Sequence, residues 1–82
     1  MLNVSVISPE AILFEGQADS VVATAYDGEV GILTGHAPMM AVLGNGELRL
    51  GAPGSRRFKV EGGFLQVLKD QVRIVTERAT PA

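Results

Sequence analysis

His36 is the one imidazole in the chain, and a lone histidine acts as general base or metal ligand only when other reactive side chains converge on it. Its neighbours Gly35, Ala37 and Pro38 offer no such group. Cysteine is absent, which removes thiolate nucleophiles and sulfur-bound zinc, and no serine stands in a G-x-S-x-G elbow. A second histidine at i+3 or i+4 is also missing, so His36 reads as a turn residue bonded to local backbone. No catalytic residue, metal ligand or cofactor is expected. Asp27 and Glu29 could suggest a glycosidase carboxylate pair, but on one turn they read as an exposed acidic tip. Gly28, Gly31 and Gly35 have the look of a phosphate-cradling loop without the following Lys-Ser or Lys-Thr and without a helix start. Arg56 and Arg57 read as a solvated hairpin end, two charges being too few for a polyanion. Met39 and Met40 suit core and edge packing, with a partner surface as the alternative for one of them.

The frame that must position these residues is small. Its 82 residues make one domain, and a domain of that size buries roughly 60 to 65% of the surface its unfolded chain exposes. With 7 basic and 9 acidic side chains the net charge is −2, which leaves no broad cationic face for nucleic acid or an anionic bilayer. Hydrophobic residues make up 46%, yet tryptophan is absent and aromatics reach 5%, so stacking on bases or sugars lacks its material. No apolar run approaches the ~18 to 20 residues that span a bilayer, so membrane association is expected only through a partner. Met1-Leu2-Asn3 has no targeting character, and the glycosylation pattern Asn3-Val4-Ser5 is therefore expected to be coincidental.

Alternation of period two runs through most of the chain. Leu2, Val4 and Val6 alternate with Asn3 and Ser5, which predicts a half-buried strand ended by Pro9-Glu10. Ile12 and Phe14 alternate again, with Glu15-Gly16 expected as the next corner. Ala18 to Ala25 forms a further strand before the turn at Asp27-Gly28, and Glu29 to Leu33 follows it. Thr34 to Pro38 is a loop, since proline removes a donor. Met39 to Leu43 suits a short strand or one helical turn, and the flanking glycines favour the strand. Asn45-Gly46 is the strongest hairpin signal, with Leu48 and Leu50 beyond it. After the turn at Ala52 to Ser55 come Phe58 and Val60, a bend at Gly62-Gly63, then strands through Leu65, Val67 and through Val72, Ile74. Beyond Arg78 the chain is expected to fray. About nine or ten strands at regular spacing define an all-β sandwich or barrel, and the 10 glycines and 4 prolines lie at its corners.

Several separate motifs then agree. Ser8-Pro9-Glu10, Leu13-Phe14-Glu15-Gly16 and the run Asp27-Gly28-Glu29-Val30-Gly31-Ile32-Leu33-Thr34-Gly35-His36-Ala37-Pro38 resemble the epsilon subunit of the F-type ATP synthase. Gly46-Glu47-Leu48-Arg49, Gly62-Gly63-Phe64-Leu65-Gln66-Val67 and Val72-Arg73-Ile74-Val75-Thr76 follow in the matching order, so the resemblance spans Leu2 to Glu77. It implies a single-domain, ten-stranded antiparallel β-sandwich over residues 1–82, a non-catalytic part of the central rotor. The implied partners are the gamma subunit and the c ring. By the same resemblance Asp27, Gly28, Glu29, Val30, Gly31 and Ile32 approach the polar loops of the c ring, where Glu29 meets arginines. Ser8, His36, Ala37, Pro38, Met39 and Met40 lie toward gamma, together with one sheet face.

The resemblance places such a subunit at the cytoplasmic face of the bacterial inner membrane, peripheral and held only through the complex. The isolated chain is expected to be a monomer. Two departures stand out: Thr34 where the family commonly has proline, and Thr24-Ala25 where Pro-Gly is frequent, which leaves the loop less rigid. Relatives usually continue into a carboxy-terminal helical hairpin that restrains ATP hydrolysis. A chain ending at Ala82 is expected to be without that hairpin, its self-inhibition and its ATP site. A free-standing β module with a ligand pocket between its sheets is the rival reading, and a pocket is what separates the two.

Overall fold

In the computed structural model, residues 1–26, 28–52 and 55–82 are described, so the expected corner residue Asp27 and the turn residues Pro53 and Gly54 lie outside the described residues. The described chain is strand throughout: β1 (Leu2–Ile7), β2 (Ile12–Ala18), β3 (Ser20–Ala25), β4 (Gly28–Leu33), β5 (Met39–Leu50), β6 (Arg56–Glu61), β7 (Phe64–Leu68), β8 (Gln71–Val75) and β9 (Arg78–Pro81). They form one curled sheet whose halves face each other across a single core. The first half has the order β2-β1-β8-β7-β5. The second has the order β4-β3-β5-β6-β9.

Strand β5 belongs to both halves. Met39 to Val42 pair with β7, and Asn45 to Leu50 pair with β6. Counted once per half it makes ten strand segments, and counted as a continuous chain it leaves nine. The hairpin expected at Asn45-Gly46 is therefore a bend inside one strand. Ala23 pairs with Leu48 and Ala25 with Leu43, so Thr24 alone faces the four residues from Gly44 to Glu47. This wide bulge turns β5 from one half into the other. Gly46 is required there by close approach: a Cβ on it would lie 2.5 Å from Thr24 Oγ1. That same hydroxyl donates to Glu47 O at 3.4 Å and accepts from Glu47 N at 3.3 Å, which serves the backbone groups the bulge leaves out of the ladder.

Three further expectations are corrected. The sandwich is mixed and not wholly antiparallel, because β1 and β8 run parallel from Asn3 beside Gln71 to Ile7 beside Val75. Alternation reports which face a residue takes and says nothing of its partner strand. Gly16 is no corner: β2 continues to Ala18, and a Cβ at Gly16 would sit 3.3 Å from the Phe14 ring. The carboxy-terminal stretch does not fray, since Arg78 to Pro81 pair with β6. Thr76, buried just before it, donates to Arg78 O at 3.0 Å.

Alternating residues of both halves fill the core. Leu2, Val4, Val6, Leu65, Val67, Val72 and Ile74 come from the first, and Val21, Ala23, Ile32, Leu48, Leu50, Phe58 and Val60 from the second. Each of the Val, Leu, Ile and Phe side chains among them contributes about 1.5–3 kcal/mol of transfer free energy, an upper bound because unfolded chains already bury part of this surface. Lys69 and Asp70, with φ of 50° and 59°, join β7 to β8 in the left-handed geometry that a two-residue hairpin needs.

Candidate interaction surfaces

The outer face of the first half breaks the rule that outward positions are polar. Val42 lies opposite Phe64, Phe64 opposite Val75, Val75 beside Ile7, and Ile7 opposite Ile12. These five apolar residues form one row across five strands, offset at its β1–β2 end by a register shift between Val6 and Ile7. At ~4.8 Å per strand it is about 19 Å long. Val42 is 64%, Ile12 62% and Phe64 37% exposed. Each belongs to an apolar doublet whose other member faces the core: Leu43, Leu65, Ile74 and Val6 are buried, and Leu13 packs against them. One register step further along lies a mixed row of Met40, Gln66, Arg73, Ser5 and Glu15. The next row, Leu68, Gln71, Asn3 and Gln17, is mainly amide. The face thus grades from apolar at one end to polar at the other.

The outer face of the second half is charged and neutralises itself. Arg49 meets Glu29 at 3.1 Å and Glu47 at 3.6 Å, and Arg57 meets Glu47 at 3.1 Å. Arg78 and Glu61 add a looser pair at 3.9 Å. All are exposed pairs, worth at most about 1 kcal/mol each.

Of the residues expected at the c ring, Gly28 to Ile32 sit on β4, which among the described residues pairs with β3 alone and so forms an edge. Gly28, Glu29 and Gly31 are exposed, Val30 is half-buried against the core, and Ile32 is fully buried. Ile32 can therefore anchor the strand but presents no side chain outward. Glu29 is exposed and engaged with Arg49 within its own chain. Tyr26, at the tip of the β3–β4 hairpin, donates its N–H to Val42 O at 2.8 Å and is 83% exposed. The hairpin tip accordingly adjoins the apolar row.

The residues expected toward gamma are not clustered. Ser8 closes the turn between β1 and β2 by accepting from Ala11 N and donating to Ala11 O, at the apolar end of the first face. His36, Ala37 and Pro38 lie at the opposite end, beside the β7–β8 turn. Met40, 64% exposed, lies between them, while Met39 packs against the core. His36 N–H donates to Leu33 O at 3.1 Å and its Nδ1 to Ala37 O at 2.8 Å, the local backbone role the sequence suggests.

No reactive or titratable pattern in the sequence marks Ile7, Ile12, Val42, Phe64, Val75 or Tyr26 as a surface. The signal was present in the doublets Val6-Ile7, Ile12-Leu13, Val42-Leu43, Phe64-Leu65 and Ile74-Val75, where alternation should have put a polar residue. Among the described residues no group of three or more His, Asp or Glu converges to hold a metal. The hollow of about 470 Å³ beside Gly16, lined by Asn3, Ser5, Glu15, Gln17, Gln71 and Arg73 among others, is an open dish on the first face.

These features define a small all-β domain with an apolar row on one outer face and a self-paired charged face on the other. The chain belongs to the family of the ATP synthase delta/epsilon chain β-sandwich domain, which it matches over residues 1–82. It is 49% identical over 78 residues to the ATP synthase epsilon chain of Leptospira borgpetersenii, covering 93% of this chain and 61% of that one. To the epsilon chain of Micrococcus luteus it is 42% identical over 80 residues, covering 95% and 88% respectively. The chain spans about three-fifths of the length of most such relatives, 61% and 62% in two of them. Its fold is similar to that of a chain in the OSCP/F1/c-ring structure of the Euglena gracilis mitochondrial ATP synthase, with a TM-score of 0.90, 21% identity, and coverage of 98% of this chain and 52% of that one.

Proposed function

We propose that this domain is a non-catalytic rotor element of an F-type ATP synthase. In this reading it links the gamma subunit to the c ring and couples proton-driven rotation to ATP synthesis. The observation that carries the reading is the apolar row from Val42 to Ile12, because an ordered apolar strip with a polar margin is the anatomy of a protein interface. Gamma covers this face, with Ser8 at one end, His36, Ala37 and Pro38 at the other and Met40 between. Burying a standard interface of ~1,600 Å² there gives a contact able to resist load without any titrating group. The c ring receives the β3–β4 hairpin, where Glu29 exchanges Arg49 for arginines of the ring. The free domain is a monomer and reaches the cytoplasmic face of the bacterial inner membrane only as part of the complex.

Calorimetric titration of the domain against its gamma subunit tests the first contact. Saturable one-to-one binding that Phe64→Ser weakens at least tenfold is expected. Absence of binding at tens of micromolar by a folded domain would overturn the assignment. For the second contact, Glu29→Lys in the assembled enzyme is expected to reduce the ATP made per proton moved; unchanged coupling would remove Glu29 from the c-ring seat.

A further inference from the structure

Asp70 ties together three segments at the polar end of the first face. Its Oδ1 accepts the Gly35 N–H at 2.7 Å, a short contact of the kind a carboxylate makes with an amide. Its backbone carbonyl accepts Asn3 N–H at 2.8 Å, which binds the same turn to β1. Its own φ of 59° is a left-handed conformation that aspartate tolerates better than most residues. Gly35, with φ of 84°, is in turn held in a conformation that favours glycine. Immediately after Gly35 come His36, Ala37 and Pro38 and then the start of β5.

We propose that Asp70 is a positioning residue for the gamma-facing loop: its carboxylate clasps the Gly35 amide and fixes the course of His36 to Met40 across the sheet face. Five residues separate the end of β4 at Leu33 from the next paired residue, Met39, and the loop's one internal backbone bond is His36 N to Leu33 O. That bond closes the turn but does not tie it to the first half of the sheet. The Asp70 contact does, because it reaches from the β7–β8 turn, 35 residues away in sequence. Released from it, the loop keeps its turn and loses its fixed place beside the β7–β8 turn. The partner would then order the loop at its own expense, and affinity falls. The inference rests on the gamma-facing reading of this face.

Two variants separate the clasp from the turn. Asp70→Gly keeps the left-handed conformation and deletes the acceptor; Asp70→Asn keeps both the conformation and an acceptor oxygen. Hydrogen exchange followed by NMR is expected to show the Gly35 amide exchanging at least tenfold faster in Asp70→Gly, with core amides at Leu65 and Ile74 unchanged. Calorimetry against gamma is expected to show affinity reduced about tenfold in Asp70→Gly and restored to within about threefold in Asp70→Asn. Wild-type affinity in Asp70→Gly, with the Gly35 amide freed, would overturn the proposal while leaving the gamma contact intact. Unchanged exchange at Gly35 would overturn the clasp itself. A wild-type domain that does not bind gamma at all would instead overturn the reading of the face.

Discussion

At Gly46 an added methyl group would lie 2.5 Å from Thr24 Oγ1 and 2.6 Å from its Cβ, and both belong to a stiff β-branched side chain inside a bulge. At Gly31, on the edge strand β4, the same methyl would meet nothing within 4 Å. Gly46→Ala is therefore expected to cost about 1–3 kcal/mol in urea unfolding, as overpacking usually does, while Gly31→Ala changes stability by less than about 0.5 kcal/mol. If the two substitutions proved equal, close approach would not be what fixes Gly46. The ion pair of Glu29 with Arg49 belongs to the same scale. Both side chains are well exposed, so Glu29→Gln is expected to change stability by no more than about 1 kcal/mol. The difference should shrink further when salt is raised from 0.05 to about 0.5 M. A larger, salt-insensitive loss would mean that the pair supports the fold.

Among the elements, β1, β3, β4, β6, β7 and β8 were legible because Val, Ile and Leu recur every second residue with turn formers between the runs. The Asn45-Gly46 signal misled because the preference of that dipeptide for tight turns is local, whereas the reason for Gly46 is Thr24, more than twenty residues earlier. Arg78 to Pro81 looked like a tail because four residues ending at proline carry little alternation; β6 supplies the pairing that makes them a strand. Of the candidate site, the loops that carry Ser8 and His36 were legible as loops from their prolines and glycines, whereas the apolar face was not, since a doublet such as Phe64-Leu65 does not say which member points outward until the register is known. The doublets give a direct test. Leu65→Ala is expected to lose about 2–5 kcal/mol, and Phe64→Ser less than about 1 kcal/mol, in chemical denaturation. Under the proposed gamma contact the order should reverse for affinity, with Phe64→Ser weakening binding in a domain that remains folded. Comparable stability losses at the two positions would place Phe64 in the fold instead of the interface.

For the whole molecule the parallel pairing of β1 with β8 joins nearly the two ends of the chain. Because β1 sits between β2 and β8, removing residues 1–7 deletes Leu2, Val4 and Val6 from the core and detaches β2. Such a truncation is expected to abolish the dispersed NMR spectrum, and retention of a native spectrum would show that β2 can pair with β8 directly. Refolding of the intact domain should take milliseconds to seconds by stopped flow, since non-local pairing of this kind is slow to form. A microsecond phase carrying most of the amplitude would contradict it. Strand β5 has a mechanical consequence of its own. It passes unbroken from the exposed face of one layer into the middle of the other, so the layers cannot shear apart along it without drawing on main-chain covalent bonds. A sideways pull on Met40 or Val42 is delivered as tension to Leu48 and Leu50, and the two layers move as one stiff lever under a force that would slide an ordinary pair of stacked sheets.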